Sequence, residues 1–136
     1  MLLSLLNKKE MLKFLDLAIY MCEVDGGEPT EVEKKVLKKM IAELEAVKDE
    51  YTFRLTDTID NTIAYFLNCN QVVKNVVYLN LVTISMEEDL YNTSEWLFLE
   101  KIQKQFEISN EKRREIISIV HAYRDLREKS IRIIKN

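Results

Sequence analysis

The side chains in this sequence best suited to chemistry are carboxylates, and they gather at two points. Residues 23–33 hold Glu23, Asp25, Glu28, Glu31 and Glu33 with no lysine or arginine among them. Residues 87–95 hold Glu87, Glu88, Asp89 and Glu95, again without a base. Carboxylate oxygens suit hard cations such as Ca²⁺ or Mg²⁺, and an ion offsets the repulsion that clustering creates. The expected metal-binding set is therefore Asp25, Glu33, Glu88 and Glu95, with Glu28, Glu31 and Asp89 as further acidic surface. An EF-hand is excluded: with Glu33 at the last loop position, the first, third and fifth fall on Cys22, Val24 and Gly26, which lack a side-chain oxygen.

These residues also have structural readings. Glu33 and Glu95 stand where a capping-box glutamate belongs, Asp25 suits a turn, and Glu31 can pair with Lys35 one helical turn on. Other chemistry has less support. His121, the sole histidine, falls on a helical stretch with no nucleophile nearby in sequence, and reads as a packed or partly exposed side chain. Cys22 shares an apolar stripe and reads as core, whereas Cys69, between two asparagines, reads as more accessible; neither has a CxxC partner. Trp96 and Phe98 read as core, with a partner-binding patch as the alternative. Phosphate-binding loops, dinucleotide fingerprints, HExxH zinc sites and GxSxG elbows are absent from the sequence. No enzyme activity is expected and no cofactor beyond a divalent metal.

The elements that must position the acids are helical. The 136 residues include only two glycines and one proline, so helix breakers are scarce, and 47% hydrophobic content supports one compact domain over residues 1–136. Leu12, Leu15, Ala18, Ile19 and Cys22 mark one buried stripe between Lys9 and Cys22; Val36, Leu37, Met40, Ile41 and Leu44 mark a second, in a helix that starts near Thr30. The middle reads as helices over Thr56–Leu67 and Gln71–Met86. The second is rich in β-branched residues, but it exceeds ordinary strand length and has no partner strand. Trp96, Leu99, Ile102 and Phe106 mark a fifth helix, and a long helix bearing Ile116, Ile117, Val120, Tyr123 and Leu126 follows Asn110. The expected fold is all-α, a single-domain bundle of about six to seven helices.

Two hairpins within this pattern repeat. Thr30 precedes Glu33 as Asn92 precedes Glu95, each a capping residue three positions before a glutamate. Beyond them Val36 aligns with Phe98, Leu37 with Leu99, Met40 with Ile102 and Leu44 with Phe106, each pair 62 residues apart. Asp25 aligns with Glu88, so the first turn carries one extra residue. The repeats cover about 10–48 and 71–109, followed by a basic helix over about 110–132. If they pack about an approximate two-fold axis, the two acidic turns meet at one end.

A helix, an Asp-Gly turn, a later glutamate and a leucine four residues beyond it, all repeated, resemble the TerB-like family. That family is named for tellurite-resistance proteins and is similar to the amino-terminal domain of DjlA-type co-chaperones. The first copy reads Asp25-Gly26 through Glu33 and Leu37; the second reads Glu88-Asp89 through Glu95 and Leu99, without the glycine. The resemblance implies a bundle of about seven helices, a non-enzymatic role in stress-response or membrane-linked complexes, and divalent-metal binding by the acidic turns. Asp25 is expected to dominate the site, because the second copy departs from the pattern.

Charge and compartment complete the reading. Residues 1–109 carry 12 basic and 19 acidic side chains, and residues 110–136 carry 8 and 4, so an acidic body precedes a basic tail. Glu111, Glu115, Asp125 and Glu128 interrupt the basic residues, so the tail reads as a solvated helix face and no nucleic-acid partner is expected. Met1–Leu6 is too short for a signal peptide, no run reaches the ~20 apolar residues of a membrane span, and the two cysteines are isolated. A cytoplasmic protein is expected. The leading expectation is a binding or adaptor domain whose acidic turns take a divalent cation or a basic protein partner. The alternatives are a homo-oligomeric module built on the amphipathic terminal helices, and a carboxylate-dependent hydrolase.

Overall fold

Helix starts in this chain are written into short polar side chains, and the structure uses nearly every one. The computed structural model describes residues 1–24, 30–44, 47, 49–51, 54–87 and 93–136. A 3₁₀ turn (Leu3–Leu5) leads into α1 (Lys8–Glu23), α2 (Glu31–Glu43), α3 (Ile59–Leu67), α4 (Gln71–Met86), α5 (Thr93–Gln105) and α6 (Asn110–Lys135). No strand occurs among the described residues. The fold is the all-α bundle expected. Asn7, Thr30, Thr58, Asn70 and Ser109 each accept a backbone N–H from the first turn of α1, α2, α3, α4 and α6, satisfying donors that a helix leaves orphaned. α3 starts three residues later than Thr56, because Thr58 is the cap and Thr56 is engaged elsewhere: its backbone N–H and hydroxyl both donate to the buried carboxylate of Asp16 on α1. Likewise Ser109, not Asn110, caps α6.

The repeat is more regular than the sequence alone suggested. α2 and α5 are both 13 residues long and start 62 residues apart; α1 and α4 are both 16 residues long and start 63 apart. The one-residue difference is the extra residue in the first turn. Burial follows the same registers. Leu37 and Leu99, Met40 and Ile102, and Ile41 and Gln103 are buried as pairs, and so are Phe14 and Val77, Leu15 and Tyr78, Ala18 and Leu81, and Met21 and Ile84. Even the caps Asn7 and Asn70 correspond.

α4 runs through the middle and packs against α1, α2, α3, α5, α6 and the 3₁₀ turn. From Val73 onward its valines, leucines and isoleucine are buried, which explains its strand-like composition: a helix surrounded by others keeps little solvent face to be polar. Within it Asn80 is fully buried; its amide donates to the carbonyls of Val76 and Met1 and its oxygen accepts from the Met1 ammonium. Burial lowers the affinity of that ammonium for its proton. α5 ends in a Schellman motif, with Ile108 N–H donating to Gln103 O and Glu107 N–H to Lys104 O; Glu107 takes φ 56°. Among the described residues no helix is long and apolar enough to cross a membrane.

Candidate functional site

The end of α1 and the starts of α2 and α5 meet inside the bundle. Thr30 accepts the N–H of Glu33 at 3.2 Å, and Glu33 Oε1 accepts the N–H of Thr30 at 2.9 Å, a complete capping box. This reciprocal bond draws the Glu33 carboxylate back over the first turn of α2. Glu95 occupies the equivalent position in α5. Apolar residues on the same helices turn both first turns inward, and Glu33 and Glu95 are left only 3% and 2% exposed. Cys22, in the last turn of α1, is 4% exposed. One oxygen of each glutamate and Cys22 Sγ all lie within 4.8 Å of one another.

Two carboxylates and a thiol sharing so little buried space repel as they ionise. The positive ends of two helices offset part of that repulsion, since both glutamates belong to first turns. The surroundings are also acidic. Tyr51 donates its hydroxyl to Leu15 O, and its phenol is pushed well above the ordinary range by burial, then by the negative charges of Asp16, Glu23 and Cys22. Tyr20 packs against Phe98 at 5.3 Å between ring centroids, the rings tilted by 47°, joining α1 to α5.

Of the residues expected to bind metal, the structure brings Glu33 and Glu95 together. Asp25 and Glu88, with Glu28, Asp89 and the cap Asn92, lie outside the described residues, so the expected dominance of Asp25 and the hydrolase that would need Asp25 or Glu88 in a pocket lie outside them too. Glu31 is solvent-exposed and pairs with Lys34 at 3.6 Å rather than with Lys35. Phe98 is core and Trp96 half-buried, with Arg113 over its ring. His121 is exposed on α6, and Cys69 is half-buried.

Cys22 joined the glutamates without a signal that sequence reasoning used, because an apolar stripe explains a buried cysteine equally well. The repeat register holds such a signal: Cys22 corresponds at 63 residues to Ser85 on α4, another small polar side chain amid large apolar ones. Ser85 is 7% exposed, and its hydroxyl has no hydrogen-bond partner among the described residues. A comparison of the chain with known protein families, with curated proteins and with solved structures finds no match.

Proposed function

We propose that this chain is a non-enzymatic binding domain of the TerB-like kind in which Cys22, Glu33 and Glu95 hold a divalent cation. The observation that carries this reading is the convergence of three ionisable donors, from three helices, within 4.8 Å in the interior. The donor set changes the expected ion. A thiolate beside two carboxylates suits Zn²⁺, which takes sulfur and oxygen ligands together, better than Ca²⁺ or Mg²⁺, which take oxygen alone. Donors on one tetrahedral Zn²⁺ sit about 3.3–3.7 Å apart, from bonds of about 2.0–2.3 Å, so binding closes whatever part of the 4.8 Å spread exceeds that separation. A cation there ties α1, α2 and α5 together, joining the two repeats.

Burial supports holding an ion over turning over a substrate, because a substrate must reach the reacting atoms and these are enclosed. Neither Cys22 nor Cys69 is in a disulfide among the described residues, which fits a reducing cytoplasm. A stress-response adaptor role, as in tellurite resistance, rests on the TerB-like resemblance.

Titration calorimetry and thermal melts of the chelator-treated protein with Zn²⁺, Ca²⁺ and Mg²⁺ test the metal. Zn²⁺ is expected to bind and raise the melting temperature, Cys22→Ala to lose most of that rise, and Co²⁺ to give a thiolate charge-transfer band that Cys22→Ala removes. Silence toward every ion at millimolar concentration overturns the metal reading.

A further inference from the structure

Beyond Arg127, nothing among the described residues covers α6. Arg113, Ile117, Val120, Arg124 and Arg127 form its inner edge, fastened at the far end by Arg124 donating to Met86 O and by an Arg127–Glu87 ion pair. Every residue beyond Arg127 is exposed. Beside that inner edge runs a second apolar line: Ile116, Ile119, Tyr123, Leu126, Ser130 and Ile133, alternating three- and four-residue steps as the seam of a helix pair does. Of these, Ile119, Tyr123, Leu126 and Ile133 are 52–63% exposed.

The seam borders an apolar groove of about 260 Å³ between the 3₁₀ turn, α4 and the start of α6, lined by Leu2, Leu5, Val72, Ile116 and Ile119. Leu2, Leu5 and Val72 are themselves more than half exposed. One end of α6 thus flanks an open groove, and the other end carries apolar side chains that nothing among the described residues covers.

We infer that two copies of this chain pair through α6 in antiparallel register, the distal half of each helix filling the groove of the other. Setting Ile116 against Leu126 of the second copy places Ile119 against Tyr123, and the two-fold axis repeats both contacts. On the flank that carries Glu115, Ala122 and Lys129 the charges then match, while the other flank sets Arg113 level with Arg127 of the second copy, each held toward its own chain by Trp96 or Glu87. Glu115 meets Lys129 of the second copy on each side, and Ala122 meets its own counterpart at the axis, where a small side chain permits close approach. Glu115 and Lys129 are both exposed, and the intrachain Lys112–Glu115 approach is a loose 3.9 Å. A parallel pairing sets Ala122 near Arg127 and Lys129 near Ile134, with no opposite charges opposed.

The area suffices. Leu2, Leu5, Val72, Ile119, Tyr123, Leu126, Ile133 and Ile134 make up most of the large hydrophobic side chains exposed among the described residues. At roughly 60 Å² each they remove about 500 Å² per copy from water, or about 1,000 Å² per dimer, the threshold of a specific interface. This pairing is independent of the metal, whose donors lie on α1, α2 and α5.

Light scattering and sedimentation of the full chain over a range of micromolar concentrations test the inference. A dimer of twice the chain mass is expected. Leu126→Asp should abolish it while circular dichroism stays unchanged, because Leu126 touches no core. Glu115→Lys and Lys129→Glu should each weaken association roughly tenfold or more, and the double reversal should restore it. In a Cys69→Ser background, Ala122→Cys should form an intermolecular disulfide on mild oxidation. A monomer at every concentration overturns the inference. So does a dimer indifferent to Leu126→Asp, or charge reversals that fail to compensate, which would place the interface elsewhere or in another register.

Discussion

Glu33 and Glu95 stand 62 residues apart in the chain, each in the first turn of its helix, and their buried carboxylates approach within 4.8 Å. The same structural slot, used twice, has brought its two occupants face to face. The carboxylate of Glu33 caps its own helix and at the same time presents negative charge to its counterpart.

Those two roles separate by substitution. Glu33→Gln keeps an oxygen for the Thr30 N–H and removes the charge; Glu33→Ala removes both. Without metal, Glu33→Gln should be at least as stable as the natural chain, while Glu33→Ala should lose about 1 kcal/mol with the bond from the Thr30 N–H. Both should lose the stabilisation that Zn²⁺ confers. Urea unfolding with and without chelator checks all three, and a marked loss in Glu33→Gln would show that the carboxylates do not strain one another.

Ser85 tests the repeat as a functional symmetry. It occupies on α4 the place that Cys22 occupies on α1. Ser85→Cys should therefore supply a second thiolate to the same ion and tighten Zn²⁺ by roughly tenfold or more, in keeping with the metal's preference for sulfur. Competition against a chromophoric chelator measures it, and unchanged affinity would show that α4 does not present a fourth ligand to the ion.

Asp16 holds the segment before α3 against α1. It is 2% exposed and accepts the backbone N–H and hydroxyl of Thr56. Thr56→Ala removes a donor from a buried charge and should cost about 1.5–3 kcal/mol. Thr56→Ser, which keeps the hydroxyl, should recover most of it. Equal stability of the two variants in urea would rule out the hydroxyl as the contribution.

Glu107 has the backbone of a glycine. Its φ of 56° lies in the left-handed region, where a Cβ crowds the chain, yet it closes α5 with a full Schellman pair. Glu107→Gly should raise stability by about 1 kcal/mol, read from the urea midpoint, and a loss would mean that the glutamate side chain contributes more than its backbone strain costs.

Much of this arrangement is legible before folding. Capping residues three positions ahead of glutamates placed α2, and the 3.6-residue recurrence of Leu37, Met40 and Ile41 oriented it, because both signals are local: a backbone donor must be met within one turn and an apolar stripe must find a core. The 62-residue spacing made Glu33 and Glu95 equivalent. The start of α3 at Ile59 rather than Thr56 is not legible locally, because Asp16, which engages Thr56, lies 40 residues away in the chain. The valines of α4 suggested a strand for a similar reason: burial on all sides is set by surrounding helices, which local periodicity does not see.

The sequence by itself determined the helices, the Thr30–Glu33 capping box and the doubled register, since these follow from nearest-neighbour sterics and hydrogen bonding. Only the tertiary structure decided that Cys22 belongs with Glu33 and Glu95. Proximity between the end of α1 and the starts of α2 and α5 is a product of how the two hairpins pack, and no spacing along the chain encodes a distance across it.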